Sequence, residues 1–214
     1  ERVTWTMPNG QLNQGVLYKP ENFDSTKKYP VIFNYYEKLF FRLNQFPKPA
    51  LTKENINIPW FVSRDNLVFT PDIQYSLASK KRGLTVAEVA ACQSVESAAR
   101  HLSKRLYVDS ARMAIQGHSF GGFETNGIVT QTNLFAAAAE MAGTSDLVSS
   151  YLSLVTLEEH PNAVEKHVKQ DHPQGRRGAS LWERPDLYLQ KSPVLNADKV
   201  STPLLIVHNR RDGT

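Results

Sequence analysis

The 214-residue chain has few of the residue types that form crosslinks or bind metals. It contains one cysteine, Cys92, and six histidines. A single thiol excludes an intrachain disulfide framework and any cluster of cysteine ligands. The histidines show no His-Glu-x-x-His spacing of the kind found in zinc enzymes. We therefore expect no metal site and no cofactor.

Long apolar runs and a strong excess of one charge are also missing. No stretch approaches the roughly 18 apolar residues that cross a bilayer, and no charged-then-apolar signal segment opens the chain. Lys and Arg number 25 against 21 Asp and Glu, without a basic stripe interleaved with aromatic residues. These absences predict no membrane-spanning segment and no nucleic-acid partner. The compartment stays open, with a slight preference for a periplasmic or secreted location over a cytoplasmic one.

Enough apolar sequence is present for one sizeable core, since 41% of the residues are hydrophobic. Alternation over residues 3–7 before the Asn9-Gly10 turn predicts a β-hairpin, and apolar spacing predicts an amphipathic helix over 85–106. The pattern as a whole predicts one α/β domain, with a mainly parallel sheet and helices on both faces. Its other predicted elements are buried strands at 31–36, 67–69, 135–141 and 203–208, a short strand at 112–116, a helix at 122–131, and an irregular segment with short helices at 156–192.

A serine lies between a predicted strand and a predicted helix, in the sequence Gly117-His118-Ser119-Phe120-Gly121. A sharp strand-to-helix turn exposes such a serine, and it needs flanking glycines because side chains there would collide with neighbouring backbone. This placement favours Ser119 as a nucleophile over a packing turn with an idle serine. The hydroxyl then needs a base and an orienting carboxylate, which follow in this fold in the order Asp, His. Asp212 suits the carboxylate, because it follows the last predicted strand through a short loop.

Acyl transfer also needs hydrogen-bond donors for the oxyanion. One is the backbone N–H of the residue after the serine, Phe120. A second usually comes from the loop after an earlier strand, where many hydrolases have a glycine-rich sequence. Here the strand at 31–36 ends in Asn34-Tyr35-Tyr36 without a glycine. A tyrosine hydroxyl is one candidate donor; the alternative is that the two tyrosines lie on the core and surface sides of a strand end.

Several segments together resemble the catalytic domain of the prolyl oligopeptidase family of serine peptidases, and the likeness runs from about Trp5 to the end of the chain. It implies an α/β-hydrolase fold in which Ser119 is the nucleophile and Asp212 the triad acid. Tyr36, seven residues after Tyr29, would form the oxyanion hole with the Phe120 N–H. An upstream propeller domain is also implied. The segments that carry the resemblance are Tyr29-Pro30 before an apolar strand, Val108-Asp109 before Arg112-Met113-Ala114-Ile115, the 117–122 turn, and residues 203–212.

The sequence departs from the family in two places. Asn209 stands where the family usually has glycine, and family members place the triad histidine some tens of residues beyond the acid. Residues 1–214 are therefore expected to be a single catalytic domain that is incomplete at its C-terminus, truncated after the strand bearing the triad acid, and inactive by itself. The histidines present are expected to be structural or exposed, with His118 projecting away from Ser119.

The leading hypothesis is a serine peptidase that hydrolyses short peptides through an acyl-enzyme, with the triad histidine outside this chain. A carboxylesterase of the same fold and a catalytically incomplete binding module are the alternatives. Phe120, Tyr151 and Trp182 are candidates for an apolar substrate pocket, although aromatic residues also form ordinary core. The oligomeric state is open, and an edge-mediated dimer is one outcome for a truncated sheet.

Overall fold

The computed structural model describes residues 1–49, 56–75, 87–152 and 179–209. Within these ranges seven strands form one sheet, in the order β1-β2-β4-β3-β5-β6-β7. In chain order the strands are β1 (Arg2–Thr6), β2 (Leu12–Tyr18), β3 (Tyr29–Tyr35), β4 (Leu67–Pro71), β5 (Val108–His118), β6 (Ala137–Met141) and β7 (Leu204–Val207).

The first two strands form the predicted hairpin. β1 and β2 pair antiparallel, with Thr6 opposite Leu12. Gly10 in the turn has a φ of +81°, which costs glycine little, and its N–H donates to the Met7 carbonyl at 2.9 Å. Because β2 also pairs antiparallel with β4, the hairpin extends one side of the sheet.

The remaining pairs in the sheet are parallel. β3 lies between β4 and β5, and β6 lies between β5 and β7. The register sets Tyr35 beside Gly117, and Gly117 beside Glu140. The carboxyl ends of β3, β5 and β6 therefore meet at one edge of the sheet, where open α/β folds bind their ligands.

Helices cover both faces of the sheet, as the sequence predicts. They are α1 (Ile58–Val62), α2 (Ala87–Leu102), α3 (Phe120–Val129), α4 (Leu147–Leu152) and α5 (Pro185–Lys191), with 3-10 helices at Phe40–Asn44 and Pro193–Lys199. α2 and α3 pack together over the main core, which includes Val31 and Phe33. α1 covers Val68 from the opposite face. In the part of the chain that the structure describes, no helix is long and apolar enough to span a membrane.

The long helix, predicted over 85–106, ends earlier than expected. α2 ends at Leu102, where the Arg105 N–H donates back to the Leu102 carbonyl at 2.9 Å and turns the chain toward β5. Leu106, expected on the apolar face, is 88% exposed as a result. Val95 and Leu102 are fully buried, so the predicted apolar face is confirmed within the helix itself.

The last strand is at the edge of the sheet, and the prediction that it is buried is wrong for most of its side chains. Leu205, Ile206 and Val207 are 61%, 63% and 47% exposed. β7 pairs with β6 on one side, and among the described elements only β6 contacts it extensively. Residues 156–178 of the segment predicted to be irregular lie outside the described residues, and its remainder contains α5.

Candidate active site

Ser119 lies on the sharp turn that joins β5 to α3. Its φ of 55° and ψ of −116° fall outside the regions that side-chain-bearing residues normally adopt, a conformation that costs about 1–3 kcal/mol and persists only where surrounding structure holds it. The Ser119 N–H donates to the Met141 carbonyl at 2.7 Å, and the Phe123 N–H donates to the Ser119 carbonyl at 3.0 Å. β6 on one side and the first turn of α3 on the other therefore fix the turn.

Close backbone packing explains the glycines around the serine. A Cβ on Gly117 would overlap the Gly121 carbonyl, and a Cβ on Gly121 would lie 2.6 Å from the Tyr35 carbonyl oxygen. Glycine at 117 therefore lets the turn close on itself, and glycine at 121 lets it pack against the end of β3. This contact brings the residues after β3 next to Ser119.

A cavity of about 290 Å³ opens at this junction. Ser119 is half-buried in it, and Tyr36 from the segment after β3 lines it together with the serine. The structure thus brings together two of the predicted site residues, Tyr36 and Ser119, which are 83 positions apart in the sequence. The described residues that line the cavity are Asn34, Tyr35, Tyr36, Leu39, Arg42, His118 and Ser119.

The two adjacent tyrosines have different surroundings. Tyr35 is 1% exposed, its hydroxyl pairs with the Thr125 hydroxyl at 2.8 Å, and burial raises the pKa of Tyr35 well above its usual value. Tyr36 is half-buried, and its ring meets Phe120 edge-on at 6.2 Å between centroids. The Tyr35 hydroxyl is therefore committed to the core, whereas Tyr36 lies beside the residue whose N–H is the first predicted oxyanion donor.

A buried carboxylate that the sequence reasoning missed anchors the segment that carries Tyr36. We call residues 36–44 the β3 arm. Asp72, 3% exposed, accepts hydrogen bonds from the backbone N–H groups of Leu39 at 2.7 Å and Phe40 at 2.9 Å. The Ile73 N–H donates to the Glu37 carbonyl at 2.7 Å. In the sequence, Asp72 could have been noticed because it directly follows the buried strand β4, at the carboxyl edge of the sheet.

A second buried carboxylate lies beside the serine turn. Glu140 is 3% exposed in β6, next to Gly117 in register, and accepts a hydrogen bond from the Gly143 N–H at 2.9 Å. Burial raises the pKa of Glu140, while the neighbouring His208 acts in the opposite direction. In the sequence, Glu140 could have been noticed as a carboxylate directly after four alanines in an otherwise apolar strand.

The described histidines occupy three different environments. His118 lines the same cavity as Ser119, rather than projecting away from it, because β5 extends to His118 at the carboxyl edge. His101 stacks on Trp5 at 6.1 Å, and burial lowers its pKa. His208 is exposed after β7. The other three, His160, His167 and His172, lie outside the described residues, as does the predicted acid Asp212.

The three aromatic residues proposed for a substrate pocket do not share one environment. Phe120 and Tyr151 are half-buried against a second apolar cluster that contains Phe123 and Tyr188. The Tyr151 ring meets Tyr188 edge-on at 5.2 Å. Trp182 is 75% exposed. Phe120 therefore links the serine turn to this buried cluster, and the assignment of a pocket stays a prediction.

Solved structures share this architecture over nearly the whole chain. Prolyl oligopeptidase B from Galerina marginata is 20% identical over 100% of this chain and 29% of its own, with a TM-score of 0.68. Porphyromonas gingivalis dipeptidyl peptidase 4 is 19% identical over 97% of this chain and 27% of its own, with a TM-score of 0.66. Pyrococcus horikoshii acylaminoacyl peptidase is 21% identical over 97% and 31%, with a TM-score of 0.66. These likenesses show that the fold is that of an α/β-hydrolase.

Sequence comparison gives the family. The uncharacterized peptidase YuxL of Bacillus subtilis is 26% identical over 220 aligned residues, which cover 99% of this chain and 30% of YuxL. The chain thus spans less than a third of the length of this curated relative. The sequence profile of the prolyl oligopeptidase family matches residues 89–214, a range that contains the Ser119 turn and more than half of the chain. The chain therefore belongs to the prolyl oligopeptidase family.

Proposed function

We propose that this chain carries the nucleophile of a serine peptidase that hydrolyses short peptides through an acyl-enzyme. The observation that carries the proposal is Ser119 on a strained turn, facing a cavity that Tyr36 also lines. Strained backbone of this kind is common at active sites, where a sharp turn exposes the nucleophile. Membership in a peptidase family supports peptides over esters as substrates, as does the name of YuxL.

In the proposed reaction, the Ser119 hydroxyl attacks the carbonyl carbon of the scissile amide while a histidine takes its proton. The oxyanion accepts hydrogen bonds from the Phe120 N–H and the Tyr36 hydroxyl. The C–N bond then breaks, and the imidazolium returns the proton to the leaving amine. Water attacks the resulting ester with the same imidazole as base, which releases the acid and restores Ser119.

The base and its orienting acid come from the family resemblance. We propose that Asp212 orients the imidazole, and that the imidazole belongs to sequence beyond these 214 residues. An upstream propeller that limits access to short peptides is part of the same proposal. On this view the 214-residue polypeptide alone is inactive, because the Ser119 hydroxyl stays protonated without its base.

The test is covalent labelling of the full-length protein with a fluorophosphonate, which reacts with activated serines. We expect labelling of the wild type and none of Ser119→Ala, while Ser103→Ala, a change in the turn after α2, labels normally. Matched peptide and acyl-ester substrates then distinguish a peptidase from an esterase, and cleavage of esters alone would overturn the peptidase assignment. Failure of Ser119 to label would favour a binding module.

The 214-residue polypeptide provides the test of the missing base. We expect no rapid labelling of a species verified by mass at 24.1 kDa. Rapid labelling of Ser119 in that species would overturn the proposal that the base lies beyond these 214 residues. It would direct attention to His118, which lines the same cavity.

A further inference from the structure

We infer that Arg42 forms a carboxylate-binding subsite beside Ser119, so that the preferred substrates are peptides that carry a carboxylate close to the scissile bond. The inference rests on the proposed peptidase function and names a substrate class for it. The carboxylate has two possible sources, an acidic side chain or the free C-terminus of a short peptide. Both present the same planar anion to a guanidinium group.

The first observation is the position of Arg42 in the cavity. It lines the same space as Ser119 and Tyr36. Among the described residues that line this cavity, it is the one whose side chain is fully charged at neutral pH, and none of them is acidic. The cavity, at about 290 Å³, is at the lower end of the size range of ligand pockets. A carboxylate bound there lies close to the serine.

The second observation is that the β3 arm holds Arg42 in place. The Arg42 N–H donates to the Leu39 carbonyl at 3.0 Å, and the Gln45 N–H donates to the Arg42 carbonyl at 3.0 Å. Asp72 secures the start of this 3-10 turn through the Leu39 and Phe40 N–H groups. The backbone that carries the guanidinium is therefore fixed before substrate binds, which reduces the entropy lost on binding.

The chemistry of the subsite favours a carboxylate. Guanidinium presents parallel N–H donors that match the two oxygens of a carboxylate. Arg42 is half-buried, so this interaction is less screened by water than one on an open surface. The carboxylate of Asp72, which follows β4, is buried and already accepts hydrogen bonds from two backbone N–H groups of the arm. Asp72 therefore anchors the backbone of the arm, whereas the substrate carboxylate is expected to bind the Arg42 guanidinium.

The experiment uses the full-length protein and matched peptides. Internally quenched peptides differ only by Glu or Gln at one position, scanned over the two residues on each side of the scissile bond. A second series compares a free C-terminus with an amide at increasing distance from that bond. We expect a wild-type preference in kcat/KM of about 10- to 100-fold for one carboxylate-bearing series, the range for a hydrogen bond to a charged group, and we expect it mainly in KM.

Variants assign that preference to Arg42. Arg42→Gln is expected to bring the charged and neutral peptides to within about twofold of each other, while Arg42→Lys keeps part of the preference. Arg2→Gln is the matched control, because Arg2 lies over Phe40 of the same arm at 5.1 Å and is not among the described residues that line the cavity. It should keep the wild-type preference.

The outcomes separate this inference from the proposed function. If Ser119 labels and peptides are cleaved, but every charged and neutral pair is cleaved equally, the subsite is overturned and the peptidase stands. A preference that persists in Arg42→Gln also overturns it. If Ser119 does not label and no peptide is cleaved, the proposed function fails and the subsite fails with it. Preference in the side-chain series or in the C-terminus series identifies the source of the carboxylate.

Discussion

At the scale of single residues, the end of β3 gives two adjacent tyrosines different surroundings. Successive side chains of a strand point to opposite faces. Tyr35 therefore enters the core, where its hydroxyl pairs with Thr125, and the Thr125 hydroxyl donates onward to the Gly121 carbonyl at 2.8 Å. Tyr36, the first residue after β3, lines the cavity with its ring against Phe120. The same alternation makes Tyr35 a structural link between β3 and the first turn of α3.

This division predicts opposite phenotypes for two conservative changes in the full-length protein. Tyr36→Phe should lower kcat by about 10²- to 10³-fold with little change in KM, because one preorganised oxyanion donor is lost. Tyr35→Phe should leave kcat near normal and lower the free energy of unfolding by about 1 kcal/mol, the worth of one hydrogen bond. Steady-state kinetics and urea unfolding measure the two effects. Near-normal kcat in Tyr36→Phe would refute the role of Tyr36 as oxyanion donor. A 10²- to 10³-fold loss of kcat in Tyr35→Phe would assign that role to Tyr35 instead.

Glu140 predicts a pH dependence of stability. Burial raises its pKa in the folded protein above the usual value of 4.5, so the folded state binds more protons than the unfolded state between these two values. Its contribution to the free energy of unfolding therefore falls as pH rises through that window, by up to about 1.4 kcal/mol per pH unit. Glu140→Gln keeps an acceptor for the Gly143 N–H and has no charge to bury. Urea unfolding from pH 4 upward should show a smaller decline in this variant, and identical profiles would contradict the assignment.

At the scale of elements, the β3 arm depends on β4 for its position. It is attached to the carboxyl end of β3, and Asp72 at the end of β4 accepts two of its N–H groups. The arm is therefore held by residues at the ends of two neighbouring parallel strands. The arm carries both Tyr36 and Arg42 to the cavity, so its position affects the proposed oxyanion donor and the proposed carboxylate subsite together.

This arrangement predicts different results for two substitutions at Asp72. Asp72→Ala leaves two backbone N–H groups without their buried acceptor, and should lower the free energy of unfolding by about 1–3 kcal/mol and reduce kcat/KM. Asp72→Asn retains a side-chain oxygen as acceptor and should recover most of both losses. Unfolding and kinetics of the full-length variants check this. Equal kcat/KM in Asp72→Ala and the wild type would show that the arm does not need its anchor.

Local patterns explain what the sequence could predict. The hairpin, the apolar face of α2 and the serine turn depend on residues within a few positions of one another, so periodicity and glycine spacing were sufficient. The end of α2 at Leu102 depends on a turn that opposes continued helical spacing. Asp72 and Leu39 are 33 positions apart in the sequence, and their contact follows from strand order. Arg42 gave no local signal at all.

At the scale of the whole molecule, β7 leaves an apolar edge on the described part of the sheet. Leu205, Ile206 and Val207 project from both faces of that strand and are largely exposed. An edge strand also presents unpaired backbone groups that can pair with another chain. Apolar side chains and unpaired backbone at the same edge favour association between copies.

We therefore predict that the 214-residue polypeptide forms dimers or larger aggregates. Leu205→Lys combined with Val207→Lys should shift it toward monomer, because both changes place charge on one face of the edge. Leu12→Lys is the matched control, since Leu12 is similarly exposed on β2 and should have little effect. Light scattering over a concentration series measures the mass. A monomer at all concentrations in the unaltered polypeptide would contradict the prediction.

Because Cys92 is buried, its reaction with alkylating reagents can report local opening of the core. The thiol lies in α2, 7% exposed, and burial raises its pKa to about 11. The thiolate is the form that attacks alkylating reagents, so we expect Cys92 in the native protein to be protected until α2 separates from the sheet. With one cysteine in the 214 residues, each modification event in this region records an opening of that helix. The rate of Cys92 alkylation then reports how often the core opens locally. A lower rate when Ser119 is acylated would measure how tightly the site and the core are coupled.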